Sequence, residues 1–533
     1  MSQTQQISKY SLTFFSSVIF LASTLAQTNK NAPDPSKFIK AEELKVHLEV
    51  LASDAYEGRE TGQKGQKMAA EYIKKHFENI GIPPLQNLKQ GYFQEFALDV
   101  YMPQELSISI NGKKFEAKKD FFSYSSILSD TTLILEGLQF SGYGINADNY
   151  SDFNFEFYSE NNLEKRNVVV FSKEPLDKNG NSLLTGDKNL SDWSTNPRRK
   201  SLEAQKQKIN IQFIVEENLM DAYKRSEHKI TSSKMKITDN KSNNLFSTPF
   251  TIYISKEMAS YLFGDEKKMS ALKEKISKEK KSINEKVKTN IQLSIKQESN
   301  SLLAENVLGY IEGSDLKDEL IVVTAHYDHL GIHDGIVFNG ADDDGSGTVA
   351  VMQIAKAFAE AKKAGIGPRR SLLFMTVSGE EKGLLGSEYY TNKPVFPLNK
   401  TVANLNIDMI GRIDDAHKGN ADYIYLIGSD KLSDDLHRIS EECNNKYSRL
   451  KLDYTYNSDS DPNRFYYRSD HYNFAKNNIP VIFYFNGVHE DYHRETDDVN
   501  KIDFNKIEKI SKLIFHTAWE LANQSERIKL KKQ

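Results

Sequence analysis

Helical periodicity opens the predicted globular part of the chain. Leu44, Leu48 and Leu51 recur at the i, i+4, i+7 spacing of one helix face. After a glycine-bearing loop at 57–65, a second helix is predicted with one apolar face, formed by Ala69, Ala70, Ile73 and Phe77. We expect both helices to pack on the back of a sheet formed by the C-terminal half.

The pattern changes twice further along the chain. From about residue 101 it indicates short alternating strands, for example at Glu105–Ile110, 132–135 and Asn167–Phe171. The charged segment 265–288 is predicted as one solvated helix with an apolar stripe, formed by Met269, Leu272, Ile276 and Ile283. From about residue 302 strands alternate with helices, including an amphipathic helix through Val349, Ile354 and Phe358, which predicts an α/β sheet.

These patterns predict an α/β fold with a mixed, largely parallel central sheet flanked by helices and interrupted by an inserted, mostly β domain. The predicted boundaries are 1–26 for an export signal, 37–100 for an N-terminal helical part, 101–297 for the insertion and 298–525 for the main α/β part. At 533 residues, two domains are the natural expectation.

The first residues have the pattern of an export signal. Lys9 and the amino terminus supply positive charge, an apolar run covers 10–25, and small residues precede a cleavage point expected after Ala26. An uncleaved membrane anchor is the competing interpretation, which the short run with several Ser and Thr residues disfavours. The sequence therefore predicts an exported protein, periplasmic or extracellular, without stable membrane insertion after signal cleavage.

Composition excludes several classes of protein. The net charge is only −4, and lysines are interspersed with acidic residues, which argues against nucleic acid as a partner. A single cysteine, Cys443, excludes an intramolecular disulfide bond and a cysteine-based zinc cluster.

Acidic residues and histidines recur directly after predicted strands of the C-terminal half. Open α/β sheets place their sites at the carboxyl ends of strands, and imidazole with carboxylate suits zinc. A solvated turn would also explain the triple aspartate at 342–344 alone. Four such coincidences at one edge favour a metal site instead. The segments are HYDHLGIHDGIVFNGADDDGSG at 326–347, SGEE at 378–381, Asp408 after 402–407, and the loop after 480–485 with His489, Tyr492 and His493.

In this order, the motifs HYDH, NGADDDGSG, SGEEKGLLGS, NIDMIGR and DYHRETDD resemble the co-catalytic zinc aminopeptidase family M28. The resemblance covers the C-terminal half and, more weakly, the early helices with their GRETGQKG loop. It implies a zinc exopeptidase/phosphorylase-like fold. The insertion resembles the protease-associated domain through FSGYGI at 140–145 and RNVVV at 166–170, a less specific match.

The resemblance implies a site with two zinc ions per chain. His326 and Asp408 would bind one ion, Glu381 and His493 the other, and Asp343 both. Glu380 would act as the general base, taking a proton from the water shared by the metals and passing it to the leaving amine. The flanking Asp342 and Asp344 would shape the loop.

Neighbouring residues have supporting roles in this hypothesis. Asp328 would orient a ligand imidazole, or make an ordinary strand-end hydrogen bond. Tyr492 would donate to the oxyanion or pack as a plain aromatic residue, and both interpretations stay open. Asp497 is expected to be structural, and residues 468–471 to line the substrate pocket. Three further histidines are predicted as supporting or surface residues: His329, His333 and His471.

The pentapeptide at 489–493, HEDYH, also matches the pattern of single-zinc metalloproteases. That mechanism needs both histidines on one face of a helix, with the glutamate between them as the base. Because the pentapeptide follows a β run and Asn486-Gly487, a loop is expected there and this alternative is disfavoured.

The resemblance implies a secreted dizinc exopeptidase acting on peptides or proteins, most simply an aminopeptidase. Three alternatives stay open: a carboxypeptidase or dipeptidase on the same scaffold, a glutaminyl cyclase-like enzyme with one zinc and intramolecular acyl transfer, and a binding protein without catalysis. The last is the least favoured, because every implied ligand and Glu380 are present.

Overall fold

The computed structural model describes residues 34–153, 166–196, 198–238 and 248–532. The predicted export signal at 1–26 lies outside these ranges. Across them, no helix combines the length and the apolar character that crossing a membrane requires.

The described residues form twelve α-helices. In chain order they are α1 (Ala41–Leu51), α2 (Lys64–Asn79), α3 (Asp192–Thr195), α4 (Arg198–Lys206), α5 (Leu219–Thr231), α6 (Lys256–Phe263), α7 (Glu266–Glu279), α8 (Gly347–Lys363), α9 (Leu385–Asn392), α10 (Asp434–Cys443), α11 (His471–Ala475) and α12 (Phe504–Asn523).

The same residues form twenty-one β-strands. In chain order they are β1 (Phe93–Tyr101), β2 (Glu105–Ile110), β3 (Lys113–Phe115), β4 (Phe121–Phe122), β5 (Thr131–Ser141), β6 (Asn146–Ala147), β7 (Tyr150–Ser151), β8 (Asn167–Phe171), β9 (Ile211–Val215), β10 (Lys234–Ile237), β11 (Phe250–Ile254), β12 (Asn284–Lys296), β13 (Ser299–Ile311), β14 (Leu316–His326), β15 (Gly331–His333), β16 (Ile336–Phe338), β17 (Arg370–Val377), β18 (Thr401–Ile407), β19 (Tyr423–Ile427), β20 (Lys451–Asp453) and β21 (Val481–Phe485).

A nine-stranded mixed sheet forms the centre of the fold, in the order β10-β1-β13-β17-β14-β18-β21-β19-β20. Its four middle strands, β17, β14, β18 and β21, are parallel, whereas β13 and β19 pair antiparallel on either side. Every residue of β17, β18 and β21 is buried, which explains why these strands are continuous apolar runs rather than alternating ones. The predicted mixed α/β sheet is confirmed, with parallel pairing among the four middle strands and again between β19 and β20 at one edge.

Helices α1, α2, α8 and α12 share one apolar core on a face of this sheet. Helix α8 lies at the centre of that layer and packs against α1, α2 and α12 as well as β14 and β17. Its residues are therefore buried almost all round, and the prediction of an amphipathic helix is wrong. Because α8 starts at Gly347, this packing also fixes the end of the loop that carries the aspartates at 342–344, the aspartate loop.

A second sheet lies within residues 101–297, with its strands in the order β3-β2-β12-β5-β8-β9-β11-β4. This region is less purely β than predicted, since its described residues include helices α3 to α7. The predicted long charged helix ends at Glu279, where Lys280 adopts a left-handed conformation, and Ile283 lies beyond it. Strand β10 leaves the second sheet and pairs with β1 in the first.

A buried arginine fixes the loop between α1 and α2 to the edge of the first sheet. The Arg59 guanidinium donates to the carbonyl oxygens of Leu51 (2.6 Å), Tyr327 (2.9 Å), Asn339 (2.7 Å) and Gly340 (2.9 Å). Burial lowers the pKa of Arg59 to about 10, against the field of nearby carboxylates. One side chain thus joins the end of α1, the exit of β14 and the start of the aspartate loop.

Replacing Arg59 with Met should destabilise the first sheet and its helices, because four buried carbonyl groups lose their donor. We expect a loss of about 3 kcal/mol or more, seen in differential scanning calorimetry as a melting temperature lower by roughly 5–10 °C. The exposed Arg198, changed to Met, is the matched control. Equal melting temperatures for the two variants would contradict the role of Arg59.

Candidate metal centre

The carboxyl ends of the four parallel strands meet at one edge, where the predicted ligands lie. Strand β14 ends at His326 itself, and β18 ends one residue before Asp408. Glu380 and Glu381 follow β17, and the loop after β21 supplies His493. All of these side chains come together because parallel strands present the same end to one side of a sheet.

Asp343 lies between the two histidines of this cluster. Its Oδ1 is 3.3 Å from Nε2 of His326, and its Oδ2 is 3.1 Å from Nε2 of His493. The same His326 nitrogen is 3.7 Å from Oδ1 of Asp408, and the His493 nitrogen is 3.3 Å from Oε2 of Glu381. The five side chains therefore form two adjoining groups that share one carboxylate.

The flanking aspartates accept hydrogen bonds from the backbone. The Asp344 carboxylate accepts the N–H groups of His326 (3.2 Å) and Met409 (3.1 Å), which links β14 to the loop after β18. Asp342 accepts the N–H of Gly411 at 2.6 Å. Asp344 also lies near His326 and Asp408 in a grouping that could hold a cation, but its oxygens already have backbone donors. Both residues shape the loop, as expected.

Asp497 holds the aspartate loop from the other side. Its carboxylate accepts the backbone N–H of Asp342 (3.0 and 3.1 Å) and of Asp343 (3.1 Å). Burial raises the pKa of Asp497 to about 6. These contacts are those of a structural residue, which is what the sequence predicts for this position.

Glu380 and Asp343 experience opposite electrostatic environments. Burial raises the pKa of the Glu380 carboxyl well above its usual range, against the opposing effect of His326. Burial acts in the same direction on Asp343, but its contacts with His326 and His493 outweigh burial and hold the Asp343 pKa well below its usual range. Neighbouring carboxyl groups whose pKa values are shifted in opposite directions are typical of acid–base sites.

Asp328 contacts the imidazole of His326 mainly through its backbone. Its carbonyl oxygen is 3.0 Å from Nδ1 of His326, whereas its nearer carboxylate oxygen is 3.7 Å away. The carboxylate accepts the Thr61 hydroxyl at 2.7 Å and the N–H of Glu380 at 3.3 Å. Asp328 thus contacts the His326 ring through its carbonyl oxygen and the backbone of Glu380 through its carboxylate.

His329, predicted as a supporting or surface residue, lies within the cluster. Its side chain is fully buried, and its Nδ1 is 2.9 Å from Oε1 of Glu381 and 4.0 Å from Oδ2 of Asp343. The surface interpretation is therefore wrong for His329. The feature of the sequence that pointed to the cluster was its position three residues after His326, where the chain leaves β14. His471 is also buried and stacks on Phe483 at 4.7 Å.

The HEDYH segment forms a loop rather than a helix. Its first histidine, His489, points its Nε2 to Asp342 at 3.2 Å, whereas His493 contacts Asp343. Glu490 is 76% exposed on its side chain and reaches Arg412 at 3.5 Å. This geometry excludes the single-zinc arrangement for these residues, as expected.

An open cleft leads to Asp343, Glu380 and Asp408. Tyr492 lines it, stacks on the His493 ring at 3.9 Å and accepts a hydrogen bond from Arg468 at 3.3 Å. Of the segment predicted to line the pocket, 468–471, only Arg468 lines this cleft.

The donor set of this cluster fits divalent cations such as zinc. Several buried atoms at its centre make no aligned hydrogen bond: Nε2 of His326, Oδ2 of Asp343, Oε1 of Glu381 and both ring nitrogens of His329. Buried polar groups normally have partners, and imidazole nitrogens facing carboxylates find one in a metal ion. His329, Asp343 and Glu381 form one compact group of this kind.

Residues 306–518 match the family model described as Peptidase family M28. A probable leucine aminopeptidase of Trichophyton verrucosum (strain HKI 0517) is 29% identical over 224 residues, 41% of this chain and 56% of that protein. A probable zinc metalloprotease of Pyrenophora tritici-repentis (strain Pt-1C-BFP) is 27% identical over 258 residues, 41% of this chain and 51% of that protein. The match thus spans about half the length of both relatives.

Among solved structures, the aminopeptidase from Aneurinibacillus sp. strain AM-1 has the same fold. The two chains align with a TM-score of 0.53 and 18% sequence identity, over 94% of this chain and 98% of that one. The likeness extends through the inserted region as well as the first sheet.

Replacing Asp497 with Ala should loosen the aspartate loop, because the N–H groups of Asp342 and Asp343 lose their acceptor. Peptides covering 340–347 should exchange amide hydrogen at least about tenfold faster, from the loss of hydrogen bonds to a charged group. Asp503, which caps α12 through the N–H of Lys506, provides the matched Ala control. Unchanged exchange at 340–347 in the Asp497 variant would rule out this role.

Proposed function

Residues 306–518 belong to peptidase family M28, and from this premise we propose that the protein is a zinc-dependent exopeptidase, most simply an aminopeptidase. The observation that carries the proposal is the position of Asp343 between His326 and His493, with Glu380 at the same cleft. We further propose that the protein is exported, from the signal pattern at 1–26.

Five side chains would hold two zinc ions in this proposal. His326 and Asp408 would bind one ion, Glu381 and His493 the other, and Asp343 would bind both. When bound, the ions would polarise the scissile carbonyl group and lower the pKa of water. His329 would orient Glu381 through the contact between its Nδ1 and Oε1 of that residue.

Glu380 is the proposed general base. Its carboxylate accepts a proton from the attacking water and donates that proton to the nitrogen of the leaving amine. The Asp328 carboxylate accepts the N–H of Glu380 at 3.3 Å, and this contact fixes the backbone of Glu380 at the exit of β17.

Tyr492 is the proposed donor to the developing oxyanion. Its hydroxyl oxygen accepts from Arg468, which leaves its own hydrogen free to donate. The aromatic stack on His493 holds the ring beside the cluster. Packing and catalysis are thus compatible roles for this one side chain.

Zinc content tests the dizinc proposal. The purified protein should hold two zinc ions per chain by elemental mass spectrometry, and Asp343→Ala should lose both because it would serve both ions. Asp415→Ala, at a carboxylate that is 85% exposed, should retain two. One ion per wild-type chain would favour the cyclase-like alternative.

Glu380→Gln tests the catalytic step. Hydrolysis of aminoacyl and carboxy-terminal peptide reporters should fall by about 10²–10⁴-fold, while zinc content stays at the wild-type level. Glu490→Gln should keep full activity, because this exposed side chain lies outside the cleft. Comparable turnover in wild type and Glu380→Gln would remove Glu380 from the mechanism. Hydrolysis of the aminoacyl reporters indicates an aminopeptidase, whereas hydrolysis of the carboxy-terminal reporters indicates a carboxypeptidase.

A further inference from the structure

Arg468 presents a cation at the rim of the cleft. Its guanidinium is exposed, donates to the Tyr492 hydroxyl at 3.3 Å and stacks on Phe465 with 4.9 Å between Cζ and the ring centroid. Among the described residues, no carboxylate forms an ion pair with it. The positive charge therefore faces the cleft without an acidic partner.

The position of this guanidinium is fixed relative to the reacting atoms. The next residue, Ser469, is buried and donates its hydroxyl to Oδ2 of Asp408 at 2.7 Å. On the other side, Tyr492 stacks on His493. Arg468 is thus tied to both halves of the proposed metal centre, through its chain neighbour and through its hydrogen-bond acceptor.

Apolar side chains form part of the cleft wall beside the polar ones: Met409, Phe483, Phe485 and Val488. An ion pair formed against these side chains is less screened than one on an open surface. A guanidinium carries five N–H donors in a fork that matches a carboxylate with two parallel hydrogen bonds. A carboxylate of the substrate would supply the acidic partner that Arg468 lacks among the described residues.

We propose that Arg468 binds a carboxylate of the substrate close to the scissile bond. This inference rests on the proposed function and narrows its substrates to peptides with such a group. The carboxylate has two possible sources: the C-terminal carboxylate of a dipeptide, or an acidic side chain on the residue that is released. The Arg468 guanidinium could pair with a carboxylate from either source, and matched peptides distinguish the two sources.

Two peptide pairs form the test. Leu-Ala and Leu-Ala-amide differ in the C-terminal carboxylate, whereas Glu-Ala-amide and Gln-Ala-amide differ in the side-chain carboxylate. We expect the wild-type protein to prefer the charged member of one pair by at least about tenfold in kcat/KM. Arg468→Gln should abolish that preference by raising KM for the charged peptide, whereas any effect that passes through Tyr492 should change kcat for both members of the pair alike. Arg468→Lys should restore only part of it, because an ammonium group lacks the fork.

Arg464→Gln is the matched control. Arg464 is also exposed and stacks on an aromatic ring, Tyr467, at 4.6 Å, but it does not line the cleft. This variant should keep the wild-type preference. Equal preference in wild type and Arg468→Gln, or an equal loss for charged and neutral peptides, would overturn the proposed carboxylate site.

The failure of the proposed function would be a separate result. If the zinc-loaded wild-type protein hydrolysed none of the four peptides, the peptidase proposal would fall. Calorimetric binding of the same peptides to Glu380→Gln, with and without Arg468→Gln, would then still decide the role of Arg468. Binding of a charged peptide that does not depend on Arg468 would contradict it.

Discussion

The burial of three consecutive aspartates, Asp342, Asp343 and Asp344, is the constraint on which the rest of the site depends. Side-by-side carboxylates repel one another in a medium of low dielectric constant, so each needs compensation. Asp344 and Asp342 obtain it from backbone N–H groups on neighbouring segments, and Asp342 also faces His489. Within the part of the chain that the structure describes, the Asp343 carboxylate accepts no backbone N–H and instead contacts the imidazoles of His326 and His493, which makes it the carboxylate most available to a cation. The strand order and the loop after β21 make this arrangement possible, because they bring groups that are distant in the chain next to the aspartate loop.

Much of this arrangement could be predicted from local sequence. The parallel middle strands are apolar runs, and each ends at a histidine or within a few residues of a histidine or an acid, so both the sheet and its functional edge can be recognised from local sequence. Packing between segments that are distant in the chain was harder to predict from the sequence. Helix α8 is buried all round only because α1 and α12 cover its outer face, and β10 pairs with β1 across more than a hundred residues of chain. The burial of His329 was hard to predict for a similar reason, since the early loop at 59–60 pairs with its backbone.

That early loop shows how a short remote segment becomes part of a site. Gly58 has a φ of +62°, and a Cβ there would lie 2.5 Å from the carbonyl oxygens of Gly331 and Phe338. Only glycine allows the loop this close to the β15–β16 hairpin. The next residue then reaches the interior as Arg59, and Thr61 reaches Asp328. The GRETG sequence is thus explained by contact with the cluster rather than by the helices it joins.

The two halves of the proposed centre differ in their access to solvent. The His326 side chain is 1% exposed, whereas that of His493 is 38% exposed and lies on a loop without regular structure. Ligand exchange at a metal requires a route for water and for the departing ion, so the two positions would not load and empty at equal rates. The ion beside His493 would arrive last and leave first. The protein would then pass through a state with one ion, in which the inner position is filled and the outer one responds to the surrounding concentration of zinc.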